Sequence, residues 1–367
     1  MSEFGKPERH TQDRIIKLFR DDLGYKYLGN WEDRAGNSNI EESLLISYLQ
    51  RQKRYSDDFI MRAIYELQTT ANNHHNSLYT NNKNTYQLLR YGIDIKAEAG
   101  KNYEKVDLID WKHPENNDFY IAEEVTILGN HDKRPDIVLY VNGIALGIIE
   151  LKRSIVTIND GIRQSIVNQQ PEFIKPFFST IQFIFAGNDT EGLKYGTIGT
   201  PEKYFLQWKE DIEDTSKTML DKYLIKICNK DRFIELLYDF ILFDGGIKKL
   251  PRVHQYFGVK EAQKYVLRYE GGIIWQTQGS GKSIVMVILA KWILENNPKS
   301  RVVILTDRDE LDKQIERVFR DADEKIYRTH SGKDLMFQLE QATPRLICTL
   351  IHKFGKRDVE NFHQFIQ

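Results

Sequence analysis

The sequence predicts two successive α/β domains, the first around a mixed sheet and the second the opening part of a parallel one. Three patterns carry this expectation. Amphipathic helical stretches come first and give way, from Val106 onward, to short β-branched runs bounded by turns. A stretch rich in Gly, Pro and basic residues, DGGIKKLPR at 244–252, then interrupts the pattern and marks a boundary between residues 1–248 and 249–367. Beyond it helix, strand, loop and helix alternate, the mark of a parallel sheet.

In the first segment, HTQDRIIKLFRDDLGY places Ile15, Leu18, Phe19 and Leu23 on one helical face, with Gly24 as C-cap. EESLLISYLQRQ and SDDFIMRAIYELQTT are helical, the latter capped by Ser56 with Asp57 and Asp58 at the positive helix end. NNHHNSLYTNNKN reads as a polar loop, in which His74 and His75 are not expected to bind metal. KVDLIDW, FYIAEEVTIL, DIVLYV, IALGIIELK and IQFIFAG (181–187) read as strands, with a helix before the last. KEDIEDTSK (209–217) reads as a solvated helix face and DRFIELLYDFILF as a helix. In the second segment, GGIIW is the strand and SIVMVILAKWIL the helix that flank a glycine-rich loop, and RVVILT and PRLICTL are further strands.

Composition excludes some classes and leaves others open. The 367 residues carry a net charge of −1, so any nucleic-acid partner has to be argued from local sites. Cys228 and Cys348 are the only cysteines and neither lies in a C-x-x-C pattern, which fits a reducing compartment without a disulfide or zinc site. MSEFGKPERH has no apolar signal core, and no apolar run reaches the ~18 residues that span a bilayer. The expectation is a cytoplasmic protein.

Two stretches carry chemistry. In TQGSGKS, Gly279 and Gly281 let backbone N–H groups converge on a phosphate at the start of a helix. Lys282 would reach the β- and γ-phosphates of ATP and the Ser283 hydroxyl would ligate Mg²⁺, so Thr277, Gln278, Gly279, Ser280, Gly281, Lys282 and Ser283 are the candidate nucleotide loop. Gln276 stands where the usual G-x-x-x-x-G-K-[ST] pattern has its first Gly. The other stretch is RPDIVLYVNGIALGIIELKRS at 134–154. Phosphodiester hydrolysis needs a divalent cation, and two carboxylates at the ends of adjacent strands can hold one with its waters. Asp136 and Glu150 are those carboxylates, candidate ligands of Mg²⁺, and Lys152 leaves the same strand face as Glu150 because one residue separates them. Three charged groups ending two otherwise apolar strands would be costly without a purpose.

Both stretches resemble known families. The T-x-G-x-G-K-[ST] loop is similar to that of superfamily 2 helicases and translocases, and PRVHQYFGVKEAQ resembles their adenine-reading motif, with Arg252 and Gln255 at the matching positions. Thr306, Asp307 and Arg308 resemble the motif that holds a nucleic-acid phosphate. The apolar strand ending in Asp-Glu-x-His that the resemblance calls for is not found: DADEK at 321–325 lacks the strand, so half an ATP site is expected here. Pro135-Asp136 followed by Glu150-Leu151-Lys152 resembles the PD-(D/E)xK nucleases, and Gln164 matches the Gln of a Gln-x-x-x-Tyr pattern whose Tyr is replaced by Asn168. A further first-helix ligand stays open between Glu8 and Gln12.

A nuclease followed by such a motor resembles the restriction (R) subunit of type I restriction enzymes. The resemblance implies an N-terminal piece of a longer subunit, a PD-(D/E)xK domain with a mixed sheet and then the first part of a RecA-like motor domain. It also implies duplex DNA as substrate, ATP-driven translocation, methylation (M) and specificity (S) subunits as partners, and Gln164 as a phosphate or metal-water contact. The rival readings are a stand-alone DNA-repair helicase–nuclease and a DNA-binding module whose nuclease site has decayed.

One geometric demand follows from counting. A regular two-residue turn at Asn142-Gly143 pairs Val141 with Ile144 and puts Asp136 opposite Ile149, on the other face from Glu150 and Lys152. The nuclease therefore needs an odd residue. The expected form is a three-residue Val141-Asn142-Gly143 loop with Gly143 in a G1 bulge, and a bulge further along either strand would also serve.

Overall fold

The computed structural model describes residues 8–96, 103–210, 216–322 and 324–354. They fall into two compact units: 1–241 with 247–252, and 242–246 with 253–367. In chain order the first unit contains α1 (Glu8–Lys17), β1 (Lys26–Asn30), α2 (Glu42–Arg51), α3 (Asp57–Ala71), α4 (Leu78–Tyr91), β2 (Ile93–Lys96) and β3 (Tyr103–Val106). It continues through β4 (Phe119–Glu123), β5 (Ile137–Val141), β6 (Ile144–Leu151), α5 (Ile158–Asn168), β7 (Phe183–Asn188), β8 (Gly192–Gly196), β9 (Leu206–Gln207), α6 (Met219–Cys228) and α7 (Lys230–Asp239).

Seven strands form the central sheet in the order β1-β4-β5-β6-β7-β8-β9. The sheet is mixed: β1/β4 and β6/β7 are parallel, and the other neighbours are antiparallel. β4, β5, β6 and β7 are buried along their whole length, as apolar strands covered on both faces must be. One core joins Val138 and Ile148 of β5 and β6 to Ile184 and Ala186 of β7, to Ile158 and Ile162 of α5, and to the Ile174–Phe178 segment. α1 passes at Leu18 into a short π-helical turn and ends at Gly24, whose φ is +67°.

The β5–β6 hairpin settles the demand for an odd residue. The turn itself has two residues, with φ of 53° at Asn142 and 88° at Gly143, so the three-residue loop is not formed. The turn is tight because it is buried. Asn142 exchanges bonds with Asp118 (2.8 Å each way) and donates to Leu108 O (3.0 Å) and Asn117 Oδ1 (2.8 Å), while Gly143 O accepts from Glu41 N (2.8 Å). The odd residue lies further along, in β6. Tyr140 faces Ala145 and Leu139 faces Gly147, so Leu146 is left over as a bulge. From there Val138 faces Ile148 and Ile137 faces Ile149.

Several expectations change. The second half of NNHHNSLYTNNKN is helical, because Ser77 caps α4 by accepting from Thr80 N (3.1 Å) and the following asparagines face the core. Asn82 donates to the carbonyls of Phe178, Ser179 and Ile181, and its Oδ1 accepts from the buried Lys248 amine (2.8 Å), whose pKa burial pushes well below the ordinary lysine value. KVDLIDW is strand only to Val106. The Asp110 carboxylate then accepts from Lys112 N and His113 N, a local turn that competes with the ladder. Of KEDIEDTSK, 211–215 lie outside the described residues, and Lys209, Glu210, Ser216 and Lys217 are not helical. DRFIELLYDFILF ends its helix at Asp239 and continues as β10 (Leu242–Asp244), after which β11 (Ile247–Lys249) follows.

The second unit contains α8 (Val253–Leu267), α9 (Lys282–Asn296), β12 (Val302–Thr306), α10 (Asp309–Asp321), β13 (Tyr327–Arg328), α11 (Gly332–Glu340) and β14 (Leu346–Leu350). Its sheet is parallel, in the order β12-β14-β13, over a core of Val287, Ala290, Ile304, Ile315, Phe319, Leu346 and Cys348. GGIIW is not a strand: it pairs with no strand among the described residues, and Ile273 and Trp275 stand 90% and 91% exposed. On β12, Val303 and Leu305 also meet solvent. Among the described residues no helix is long and apolar enough to cross a membrane, and Cys228 and Cys348 are free and buried.

The buried turn yields a stability prediction. A β-carbon at Gly143 would lie 2.7 Å from Glu41 O and 2.9 Å from Leu45 N, in a left-handed conformation that already disfavours side chains. Gly143→Ala is expected to cost at least about 2 kcal/mol. Urea denaturation followed by tryptophan fluorescence reads this out, and an unchanged midpoint would contradict it.

Candidate active site

Asp136, Glu150 and Lys152 meet at one end of the central sheet. Past the Leu146 bulge the β5–β6 register, continued by one residue from Ile137–Ile149, sets Asp136 opposite Glu150. Directly opposed residues share a face, so the two carboxylates point to the same side. The main chain then fixes each group. Leu151 N donates to Asp136 Oδ2 (2.6 Å), and Lys152 N donates to Gly187 O (2.9 Å), prolonging the β6–β7 ladder. Glu150 is fully buried and Lys152 half-buried, its Nζ donating to Leu151 O (2.9 Å).

α5 closes this face. Its buried stripe of Ile158, Gly161 and Ile162 lies on the core side. Gly161 allows the approach: a β-carbon there would sit 3.4 Å from Glu150 Cβ and 3.6 Å from Lys152 Cγ. One turn on, Gln164 Nε2 donates to Glu150 Oε2 (2.8 Å). The structure therefore brings all four sequence-chosen residues of this site together. Asn168, at the end of the same helix, is buried, and neither amide atom has a hydrogen-bond partner among the described residues.

Sequence reasoning did not single out a second layer behind Asp136. Glu123, 3% exposed at the end of β4, accepts from Arg9 (3.1 Å), Gln12 (3.2 Å) and the Tyr27 hydroxyl (2.6 Å). The Tyr27 pKa is pushed up to about 12, first by burial and then by that carboxylate. Glu124 accepts from Gln12 (3.0 Å) and pairs with Arg134 (2.8 Å). The available signal was the Glu-Glu pair closing the apolar run FYIAEE. Of the two residues left open as a first-helix group, the Glu8 side chain lies outside the described residues, and Gln12 donates to Glu123 and Glu124.

The fit to a cation can be stated from the donors. No group of three or more His, Cys, Asp or Glu among the described residues is arranged to hold a metal ion. A cation here would rest on Asp136 and Glu150 with water and phosphate oxygens completing its shell, the pattern Mg²⁺ favours.

In the second unit, Gly279 and Gly281 are left-handed (φ 77° and 85°), and Gly281 is the N-cap of the 15-residue α9. Thr277, Gln278 and Gly279 are exposed, Ser280 is buried, and Ser283 is half-buried in the first helical turn. Lys282 Nζ is folded back onto the loop, donating to Gln276 O (3.1 Å) and Thr277 O (3.0 Å). Gln255, 2% exposed, places its amide nitrogen on Ser280 O (2.9 Å), and a β-carbon at Gly281 would collide with it. Arg252 is exposed and belongs to the first unit. Arg308 caps α10 with its side chain 77% exposed, and Thr306 Oγ1 donates to Asp312 (3.4 Å).

Comparison with known proteins agrees with this division. Residues 6–203 match the model of the type I restriction enzyme R protein N terminus, and residues 254–367 match that of the SWI2/SNF2 ATPase. A Methanocaldococcus jannaschii protein named as the type I restriction enzyme MjaIXP endonuclease subunit is 28% identical, over 77% of this chain and 30% of its own length. A second from that organism, MjaVIIIP, is 26% identical over 99% of this chain and 38% of its own length. The HindI endonuclease subunit of Haemophilus influenzae is 27% identical over 77% of this chain and 30% of its length. The chain thus spans 30% to 38% of the length of these relatives.

A fully buried carboxylate at the end of an apolar strand costs stability that an amide does not. Glu150→Gln, which keeps an oxygen to accept from Gln164, is expected to raise unfolding stability by about 1 kcal/mol. A lower urea midpoint in the variant would contradict that.

Proposed function

The chain belongs to the family of type I restriction enzyme R protein N termini, and from that premise we propose that its first unit is a Mg²⁺-dependent nuclease of PD-(D/E)xK type that cleaves duplex DNA. The observation that carries the reading is the Leu146 bulge, which sets Asp136 and Glu150 on one face. Asp136 and Glu150 would hold the cation. Mg²⁺ bound there supplies Lewis-acid polarisation of the phosphate and a water of lowered pKa. The chain's own groups do the rest. Leu151 N–H fixes the Asp136 carboxylate, and Gln164 fixes Glu150 from the helix above. The Lys152 ammonium, on the same strand face as Glu150, would offset charge that builds on the phosphate oxygens.

The second unit, in this reading, is the first part of a superfamily 2 motor. Lys282, now on the Gln276 and Thr277 carbonyls, would contact the β- and γ-phosphates of ATP, Ser283 would ligate the Mg²⁺ of the nucleotide, and the left-handed glycines would aim N–H groups at the phosphates from the start of α9. Gln255, whose NH₂ holds the loop, would read the base edge through its amide. The remaining parts of the assembly are M and S subunits, which choose the DNA sequence, and ATP-driven translocation.

Two tests follow. In the intact restriction complex, Asp136→Ala, Glu150→Ala and Lys152→Ala should each abolish plasmid linearisation and leave phosphate release from ATP unchanged, because the two sites lie on separate units. A variant that linearises the plasmid at the wild-type rate removes that residue from the site. For the nucleotide loop, calorimetry with the chain itself should detect ATP binding that Lys282→Ala weakens at least about tenfold, one phosphate-contacting charge being worth about 1.5–3 kcal/mol. Equal affinities would exclude Lys282 as a phosphate contact.

A further inference from the structure

Asp136 is held from behind as well as at its carboxylate, and the hold comes from two residues that the catalytic reading does not use. Its carbonyl accepts from Glu124 N (2.9 Å) and from Gln12 Nε2 (3.3 Å). Gln12 is 3% exposed and reaches three acceptors with one NH₂ group: Glu123, Glu124 and that carbonyl. The Glu124 side chain in turn grips Arg134 Nε (2.8 Å), two residues before Asp136. Glu124 adopts φ +49°, a conformation a non-glycine residue takes only when its surroundings impose it. That twist lets its N–H bond the Asp136 carbonyl while its carboxylate turns to Gln12 and Arg134.

We propose that Gln12 and Glu124 are positioning residues that fix the Asp136 main chain so that its carboxylate meets Glu150 in the geometry a divalent cation requires. The proposal rests on the reading of Asp136 and Glu150 as a cation site. Glu124 does not itself take the cation: Arg134 and Gln12 already engage its carboxylate, with Arg9 a further 3.9 Å away. Nor is Gln12 present merely to dock its helix. Ile15, Ile16, Leu18 and Phe19 bury that segment without it.

The test is calorimetric titration of the chain with Mn²⁺ as a Mg²⁺ surrogate, beside thermal melts of each metal-free variant. Gln12→Met keeps the length of the side chain and removes its amide. It should bind Mn²⁺ about tenfold more weakly, as loss of an outer-layer partner does, with the same stoichiometry and a melt close to wild type. Glu124→Ala should weaken binding to a similar degree. Glu124→Gln, whose single amide oxygen can accept from Gln12 or from Arg134 but not from both, should fall between wild type and Glu124→Ala on the same scale. If Asp136→Ala abolishes binding while Gln12→Met binds like wild type, the positioning role is overturned and the cation site stands. If Glu124→Ala abolishes binding as Asp136→Ala does, Glu124 is a ligand and its positioning role is wrong; if Glu124→Ala binds like wild type, its positioning role is overturned. No binding by the wild-type chain, or wild-type binding by Asp136→Ala, overturns the cation site itself. Should Gln12→Met melt below the assay temperature, the Glu124→Gln and Glu124→Ala pair decides the proposal alone.

Discussion

One surplus residue in one strand governs the candidate site. Side chains alternate along a strand, so the number of residues between two carboxylates decides whether they share a face. The tight Asn142-Gly143 turn alone would send Asp136 and Glu150 to opposite sides of the sheet. Leu146 restores the match by standing unpaired between Ala145 and Gly147. The bulge is held from just before the next strand, where Gln182 N donates to Leu146 O at 2.8 Å. The turn is held separately, by Asn142 and by Glu41. Two independent anchors thus specify a register that a slip of one residue would destroy.

The cost of this arrangement falls on the interior. Glu150 is fully buried on a strand that otherwise carries only apolar residues and glycine up to Lys152. It is tolerable because α5 comes close enough, through Gly161, for Gln164 to bond it. The strain at Glu124 sits at the same sheet end. Burial, a left-handed non-glycine residue and converging charges therefore gather in one place, and that place is where sequence reasoning puts chemistry. Proteins concentrate such local costs where geometry matters more than stability.

Most of the first unit was legible because its helices and strands follow apolar period and caps: Ser56, the β5 and β6 runs and the α1 stripe sit where the pattern puts them, whereas FYIAEEVTIL is strand only to Glu123, where the left-handed Glu124 ends it. The failures have physical causes. α4 hid behind asparagines that serve as core hydrogen-bond donors, which composition reads as loop. GGIIW has the β-branched signature of a strand but no neighbour to pair with among the described residues, and a ladder cannot be read from one run. At the site, Asp136, Glu150, Lys152 and Gln164 were legible because they are close in sequence. Gln12 and Glu123 were not, since only the fold brings an N-terminal helix to the end of β4. The need for an odd residue was legible from counting. Its position in β6 was not, because a buried turn and a bulge satisfy the same count.

The outer strand of the second sheet has a bearing on how this chain behaves in solution. Among the described residues β12 lies at the edge of a parallel sheet and shows Val303 and Leu305 to water, while Ile273 and Trp275 stand exposed before the nucleotide loop. Parallel sheets are normally shielded on both faces, and unshielded edges recruit other chains. The chain should therefore be colloidally fragile: self-association that grows with concentration, and added salts that strengthen apolar contacts will promote it.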